Sequence, residues 1–433
     1  MAKLTCHGGA GSATGANFLL ELGAKRVLID CGIQQGGKGA SEHNKKPFSY
    51  DPSSINILFI THAHIDHVGL IPKLYKDGFR GEIWSTEETK EIGRLLLLDA
   101  VRINQDGEDE LYGVGDVEGA MHLWQTLSYH EEKDFGDFKI ELYDAGHVLG
   151  SSMVKFTTSS GNMLFSGDIG NSPSPLLSDV EKVSGLDYLL MESVYGDRNH
   201  EDRSQREEKF RIIVESSIKR GGALLIPAFS LERTQEILML LDKMFEKEKR
   251  ASAPVYLDSP LAIKLTAIFE KAKGKDLFNF RELTKIANVR ESKEIASVPG
   301  AKIIVAGSGM STAGRILGHE IHYLPDPNST ILLMGYQSPG TLGRQIEEGA
   351  KEVFIDGQPV KVRAKVEKID GYSGHADSDA LVDFVSGSAD TLKKVLVAMG
   401  EQKSQVFLAQ RLRDELGVEA VATEEGKSYE VEM

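Results

Sequence analysis

Apolar runs of strand length, most closing on a polar residue, alternate along this chain with stretches of helical period. Residues 26–30, 55–61, 139–143, 162–168 and 187–192 are such runs, rich in β-branched and aromatic side chains. Several end in Asp, Glu or His. Side chains at strand ends project into the loops where α/β proteins build their sites, so these polar tips are expected along one shared edge. From about Tyr195 the texture changes. Phe210, Ile213, Val214, Ser217 and Ile218 make one helical stripe stopped by Gly221 and Gly222, and a strand is predicted at 223–227. Helices follow at 230–245 and 261–271, with strands at 255–258, 302–306 and 331–336. After about Gly349 short strands return, closing with a strand at 394–398 and a helix at 404–416. This is the pattern of a layered α/β protein with a second α/β unit in its middle.

The chain's 433 residues, 41% hydrophobic and 27% charged, have room for two or three domains of roughly 150 residues. The longest strongly apolar runs, 222–229 and 331–336, fall far short of the roughly 20 residues a membrane span needs. No membrane partner is expected. The first residues lack the basic start and long apolar stretch of a secretory signal. Cys6 and Cys31, the two cysteines, cannot make a disulfide framework, and a cytoplasmic setting follows as the expectation. The net charge of −15 speaks against indiscriminate polyanion binding, but it is uneven. Residues 195–345 hold 23 Lys and Arg against 19 Asp and Glu, while 106–118 is strongly acidic. The run EKEKR at 246–250 reads as a solvated helix end.

Histidine changes the picture. Three of the 12 histidines, His62, His64 and His67, fall within six residues, where even scatter gives about 0.2. The segment reads FITHAHIDHVG. A strand leads into His62 and His64, two residues apart, so in extended backbone both imidazoles point the same way and can grip one ion. Asp66 and His67 follow where the chain turns toward a helix, which suits a second ion nearby. Imidazole with carboxylate favours zinc or another divalent transition metal. His147, in DAGHVLGS, and Asp168, in LFSGDIG, each follow a predicted strand and are the matching partners. Alone, each would more simply be a loop histidine or a strand-end cap.

These residues resemble the metal-site signature of the metallo-β-lactamase fold: the T-H-A-H-I-D-H block, then G-H and S-G-D, with Asp30 in LIDCG at the preceding acidic position. Glu192 in MESVYGDR and His375 in GYSGHAD resemble motifs A and B of the β-CASP nuclease branch. IPAFSLERTQE, YLDSP, AGSGMSTAGRI and GYQSPGTLGR look like its inserted domain. The resemblance covers almost the whole chain. It implies an αββα sandwich over 1–194, an inserted α/β β-CASP domain over 195–345, and a returning lactamase-fold part with an RNA-specificity region over 346–433. It implies one zinc on His62, His64 and His147, another on Asp66 and His67, and Asp168 bridging; Mn²⁺ is an alternative ion. One position departs. The motif C histidine of that branch is replaced by Met399 in VLVAMGEQKS, a thioether ill suited to a site of Asp and His ligands, which puts the second metal in question.

The implied activity is that of a ribonuclease hydrolysing phosphodiester bonds with a zinc-bound hydroxide nucleophile. Asp66 would orient the nucleophile, and His375, paired with Glu192, would protonate the leaving oxygen. The expected partner is single-stranded RNA, held between the two parts of the molecule, and a homodimer is compatible with the sequence. Two glycine-rich stretches need separate readings. Residues 8–15, GGAGSATG, lack the spacing of a dinucleotide loop and read as a tight turn. Residues 306–315 follow a strand and precede a helix, so backbone N–H groups with Ser308 and Arg315 are candidates to hold substrate phosphate. Arg344 and Ser373 are further candidates. Two other readings compete: a catalytically impaired RNA-binding subunit, motivated by Met399, and a lactone or thioester metallohydrolase, against which the long insert with Arg315 and Arg344 argues. The sequence leaves endo- and exonuclease action undecided and identifies no reader of a 2′-hydroxyl.

Overall fold

A computed structural model describes residues 1–36, 39–104, 111–200, 205–274, 277–369 and 371–433. The chain divides into two compact units, Met1–Asn199 with Gly374–Met433, and His200–Ser373.

The first unit contains two seven-stranded sheets. In one, the order from edge to edge is Ser428–Val431, Ala2–Gly8, Asn17–Leu22, Lys25–Ile29, Ile57–Phe59, Glu82–Ser85 and Trp124–Thr126. In the other it is Ala420–Ala422, Lys394–Val397, Tyr188–Met191, Asn162–Phe165, Ser152–Thr157, Lys139–Asp144 and Lys133–Asp134. Successive side chains of a strand point to opposite faces, and the core obeys that alternation. Phe18 and Leu20 join Phe156, Phe165 and Leu190 in one cluster built from both sheets. Leu19, between them, packs instead with Leu74, Leu97 and Ala120 of the helices Ile71–Lys76, Glu87–Asn104 and Val114–Leu123. Leu189 likewise turns outward to Leu381, Phe384 and Leu408 of the helices Ser378–Ser386 and Gln402–Leu416. Helix, sheet, sheet, helix is the αββα order that the resemblance implies.

Each sheet is parallel in one half. Lys25–Ile29, Ile57–Phe59 and Glu82–Ser85 run parallel, as do Asn162–Phe165, Tyr188–Met191 and Lys394–Val397. Parallel strands end on the same edge, so Asp30, His62, Asp168, Glu192 and Met399, each just past such an end, fall along it as expected. Among the described residues no helix is long and apolar enough to cross a membrane. Part of the acidic stretch, 106–110, lies outside the described residues.

The second unit is built on a parallel sheet ordered Leu283–Lys285, Val255–Leu257, Lys302–Ala306, Ala223–Pro227, Thr330–Met334 and Lys365–Ile369. Three of its strands are buried along their whole length, which is why they read as unbroken apolar runs. Helix Arg206–Arg220 ends at Gly221 in the left-handed region, φ 78°, as the glycine pair suggests. The helix predicted from 230 begins later, at Arg233, after a turn in which Glu232 has φ 67°. Residues 247–250 of the charged run are exposed. The compact second unit extends past the expected end of the insert at 345. Lys365–Ile369 pairs in parallel with Thr330–Met334, so residues 346–373 belong to the second unit, and its start falls at His200 rather than 195.

Candidate active site

The strand Ile57–Phe59 stops short because its continuation gives up sheet pairing for side-chain bonds. The buried Asp30 carboxylate accepts the Thr61 N–H at 2.8 Å and the Thr61 hydroxyl at 2.8 Å. Since the Thr61 proton goes to Asp30, the Thr61 oxygen accepts from His62 Nδ1 at 3.1 Å, which leaves a lone pair on His62 Nε2. His147 is set in the same way: its Nδ1 lies 3.0 Å from the Gly374 carbonyl oxygen, so it donates there and Nε2 carries the lone pair. Only glycine fits at 374 without displacement, because a Cβ there would lie 3.2 Å from His147 Cε1.

These lone pairs converge. His64 Nδ1 is 3.1 Å from His62 Nε2 and 3.2 Å from His147 Nε2. Asp168 Oδ2 is 3.5 Å from His62 Nε2 and 3.6 Å from His147 Nε2. With the His64 proton on Nε2 all four are acceptor atoms, a set that a cation among them would hold together. Zinc bonded to nitrogen at about 2.0–2.1 Å in tetrahedral geometry spaces its ligands about 3.3 Å apart, close to these distances. Burial pushes His62 and His147 well below the ordinary imidazole value and His64 down to about 4. All three are therefore neutral ligands at pH 7.

His67 points at the other oxygen of Asp168. Its Nδ1 lies 2.8 Å from Asp30 Oδ2, and its Nε2 lies 3.4 Å from Asp168 Oδ1. Both facing atoms are buried and bond nothing else in the protein. This is a second place for a cation, but less well furnished. Asp66 belongs to neither of the close donor groups among the described residues, which are His62, His64, His147 with Asp168, and Asp168 with Glu192 and His375. Met399, with φ 41°, is buried in the core with Phe18 and Phe165. Its N–H donates to the Gly9 carbonyl at 2.6 Å, and a Cβ on Gly9 would meet Met399 Sδ at 2.5 Å. With Asp30, His67 and Glu192 it lines a cavity of about 10 Å³, room for one water at most.

The 374–376 segment is tied to the loop after Asp168 by backbone bonds: Asn171 N–H to the Gly374 carbonyl at 3.0 Å and Ala376 N–H to the Ile169 carbonyl at 2.8 Å. Between them His375 Nδ1 meets Glu192 Oε1 at 3.1 Å. Glu192, fully buried, also accepts from Ile169 N–H at 2.7 Å. Burial pulls the His375 ring down, but the Glu192 carboxylate and its hydrogen bond outweigh that and lift it to about 9. Burial also raises Asp66 to about 6 against the pull of His67.

The phosphate-binding candidates are differently placed. In the second unit the Arg315 guanidinium pairs with Asp258 at 2.5 Å, and Asp258, fully buried, also takes His319 Nε2 at 2.7 Å. Ser308 Oγ braces its own loop, accepting Thr312 N–H at 2.8 Å and Ala313 N–H at 3.2 Å. Arg344 is paired with Glu348 at 2.7 Å. Ser373, the last residue of that unit, follows Tyr372, whose ring is flanked by Arg206 and Arg233 at 4.8 and 5.0 Å. Thr61 and Asp258 escaped the sequence reading of the site. Thr61 had a signal, its place between a buried strand and the first histidine; Asp258 was marked only by the YLDSP resemblance.

Comparisons with known proteins identify the family. A metallo-beta-lactamase superfamily model matches residues 14–215, a Beta-Casp domain model 234–346, and a model of the Zn-dependent metallo-hydrolase RNA specificity domain 359–423. The chain is 35% identical over 423 residues to ribonuclease TTHA0252 of Thermus thermophilus, covering 95% of this chain and 96% of that protein. It is 31% identical over 453 residues to transcription termination factor FttA of Methanosarcina mazei, covering 97% and 70%. Endoribonuclease ysh1 of Schizosaccharomyces pombe is 31% identical over 417 residues, covering 91% and 53%. In fold, a crystal structure of a protein of unknown function from Enterococcus faecalis superposes with a TM-score of 0.61 at 13% identity over 99% of both chains.

Proposed function

Because the chain belongs to the β-CASP branch of the metallo-beta-lactamase superfamily, we propose that it is a metal-dependent ribonuclease hydrolysing phosphodiester bonds of RNA. The observation that carries this is the convergence of His62, His64, His147 and Asp168 beside His375, which is paired with Glu192. The RNA-specificity model over 359–423 and the printed names of the relatives support RNA as the substrate. Zinc suits the three-nitrogen, one-carboxylate set, with manganese as the alternative. Two buried free cysteines are in keeping with a cytoplasmic setting.

A divalent cation held by this set supplies positive charge to the phosphate oxygens and makes bound water more acidic at neutral pH. The protein supplies the proton transfers. Asp66, raised to about 6 and so mostly ionised at pH 7, is the acceptor for the proton of the attacking water. His375 donates from Nε2 to the leaving oxygen while its Nδ1–H stays on Glu192; it keeps this proton at pH 7 because it titrates near 9. With 24% of its side chain exposed, against 3% for Asp168, His375 can be reached by substrate, as can the partly exposed His64. The completeness of the first cation position favours cleavage over a binding-only subunit.

End-labelled RNA should be cut in the presence of Zn²⁺ or Mn²⁺ and spared after chelation. A His64→Ala, Asp168→Ala double variant that cuts at the parent rate would overturn the proposal. Labels at each end distinguish internal cleavage from stepwise removal at the 5′ end.

A further inference from the structure

The glycine-rich stretch 8–15 reads as a tight turn, and in the structure it is also the wall of a cavity of about 250 Å³ in the first unit. The facing wall comes from Gln34 and the segment 43–50. Both walls are held in place. Asn44 accepts the Gln34 N–H at 2.8 Å and donates to the Gln34 carbonyl at 2.8 Å. Asn17 Nδ2 donates to the buried Tyr50 hydroxyl at 3.0 Å. Gly15, at φ 80°, lets the turn pass close to Gln34, where a Cβ would already touch its Cα at 3.4 Å.

Part of the polar lining of this cavity is left without a protein partner among the described residues. His7 Nδ1 is bonded to Ser49 Oγ at 2.7 Å, while His7 Nε2 is buried and has no partner. Burial, helped by Arg26, keeps the ring below the ordinary imidazole value, so it is neutral, and with Nδ1 on Ser49 it is Nε2 that remains for a ligand. The Gln34 amide, the His43 ring and the Lys46 ammonium line the same space, and none is engaged by another described side chain. Glu425 is the one carboxylate in the lining. An aromatic group completes the wall: Phe48 and Tyr50, ring centres 5.3 Å apart at 27°, with His7 edge-on to Tyr50 at 4.9 Å. A fitting ligand has one heteroaromatic ring with a donor and acceptor edge, and an anionic end. At about 250 Å³ the space lies below the roughly 300–1,000 Å³ of drug-sized sites, so it suits one base rather than a peptide.

The cavity also adjoins the metal loop. Gly32 lines it, and a Cβ on Gly32 would lie 1.5 Å from the Asp66 carbonyl oxygen. Ala16 N–H donates to that same oxygen at 2.9 Å. We propose that this cavity binds a nucleotide, its base against Phe48 and Tyr50 with its edge on His7 Nε2 and Gln34, and its phosphate on Lys46 and His43. The nucleotide is one unit of bound RNA or a free mononucleotide, and only the RNA source rests on the ribonuclease reading.

The test uses the full chain freed of metal with a chelator, titrated calorimetrically with AMP and UMP, with inorganic phosphate and adenosine as comparisons. AMP or UMP should bind, and His7→Leu and Phe48→Ala should each weaken binding about tenfold or more. The His64→Ala, Asp168→Ala variant should bind like the parent. Lys46 is exposed, so Lys46→Glu keeps the test readable should the other variants misfold; it should weaken AMP and leave adenosine unchanged. Absence of nucleotide binding, or binding lost only in the metal-site variant, would overturn the proposal. Cleavage of a random-sequence RNA pool then separates the sources. A base preference near the cut that Phe48→Ala flattens marks the substrate itself, and an unchanged preference with lost AMP binding marks a free nucleotide. A parent that cuts no RNA counts against the ribonuclease reading and leaves the titration standing.

Discussion

Asp30 accepts hydrogen bonds from two atoms of Thr61 while lying 2.8 Å from His67 Nδ1. One buried carboxylate therefore orients both His62, through Thr61, and His67. Met399 is the residue that leaves the second cation position short of a donor, since it packs with Phe18 and Phe165 while lining the cavity shared with His67. Met399→His places an imidazole in that cavity. Zinc per chain, measured by elemental analysis after dialysis, should rise from about one toward two if a third protein donor is what that position lacks. An unchanged content would show that it does not limit binding. Glu320, in the second unit, is fully buried, accepts the Ser311 hydroxyl, and has its second oxygen unpartnered. Burial raises it from 4.5 to about 7. The folded chain thus holds a proton that the unfolded chain releases near 4.5. The associated stability is full below that pH and is lost as pH rises through about 7, an effect of up to about 3 kcal/mol. Glu320→Gln, always neutral, should flatten this part of the stability profile in urea unfolding between pH 5 and 8; a slope equal to the parent's would reject the assignment.

At the scale of elements, the site depends on strand ends and their connecting turns more than on the helices outside them. Gly32 is the sharpest case, because a Cβ there would overlap the Asp66 carbonyl at 1.5 Å, so Gly32→Ala must move the turn that carries Asp66 and His67. The expected cost is roughly 3 kcal/mol of stability, with metal content of the surviving folded protein reduced. Leu408, buried on helix Gln402–Leu416 against the outer face of the second sheet, gives the contrast. Leu408→Ala should cost about 2–5 kcal/mol through the cavity it leaves, yet keep metal content per folded chain at the parent level. If both variants lose metal equally, the distinction between the turns and the outer layer fails. The loop 307–314 belongs to the same scale. Ser308 and Arg315, expected as phosphate holders, serve first to close that loop and tie its helix to Asp258, so they act on RNA only through atoms these bonds leave over.

For the whole molecule, the division at 199/200 and 373/374 sets which pieces stand alone. A fragment 200–373 keeps the sheet whole and should be monomeric and cooperatively folded. A fragment 200–345 loses Lys365–Ile369 and bares the apolar strand Thr330–Met334 along one edge, so it should aggregate. Size-exclusion chromatography with circular dichroism checks this, and a well-behaved shorter fragment would sink it. The net charge of −15 is compatible with an RNA enzyme if contacts are few, in which case RNA affinity should show a shallow salt slope of roughly −0.7 per phosphate contacted. The sequence by itself marked many of the strands and helices and the His62–His64 pair of the first metal position. Strand and helix periods are local, and His62 and His64 sit two residues apart after a buried strand, so a short window records them. The tertiary structure decided the rest. The partner of Arg315 lies 57 residues away at Asp258, the strand that claims 346–373 pairs with one more than thirty residues earlier, and the cavity beside the glycine turn is closed by residues from four separate stretches. Such pairings depend on which surfaces meet when the layers close, and no local pattern of side chains encodes that meeting.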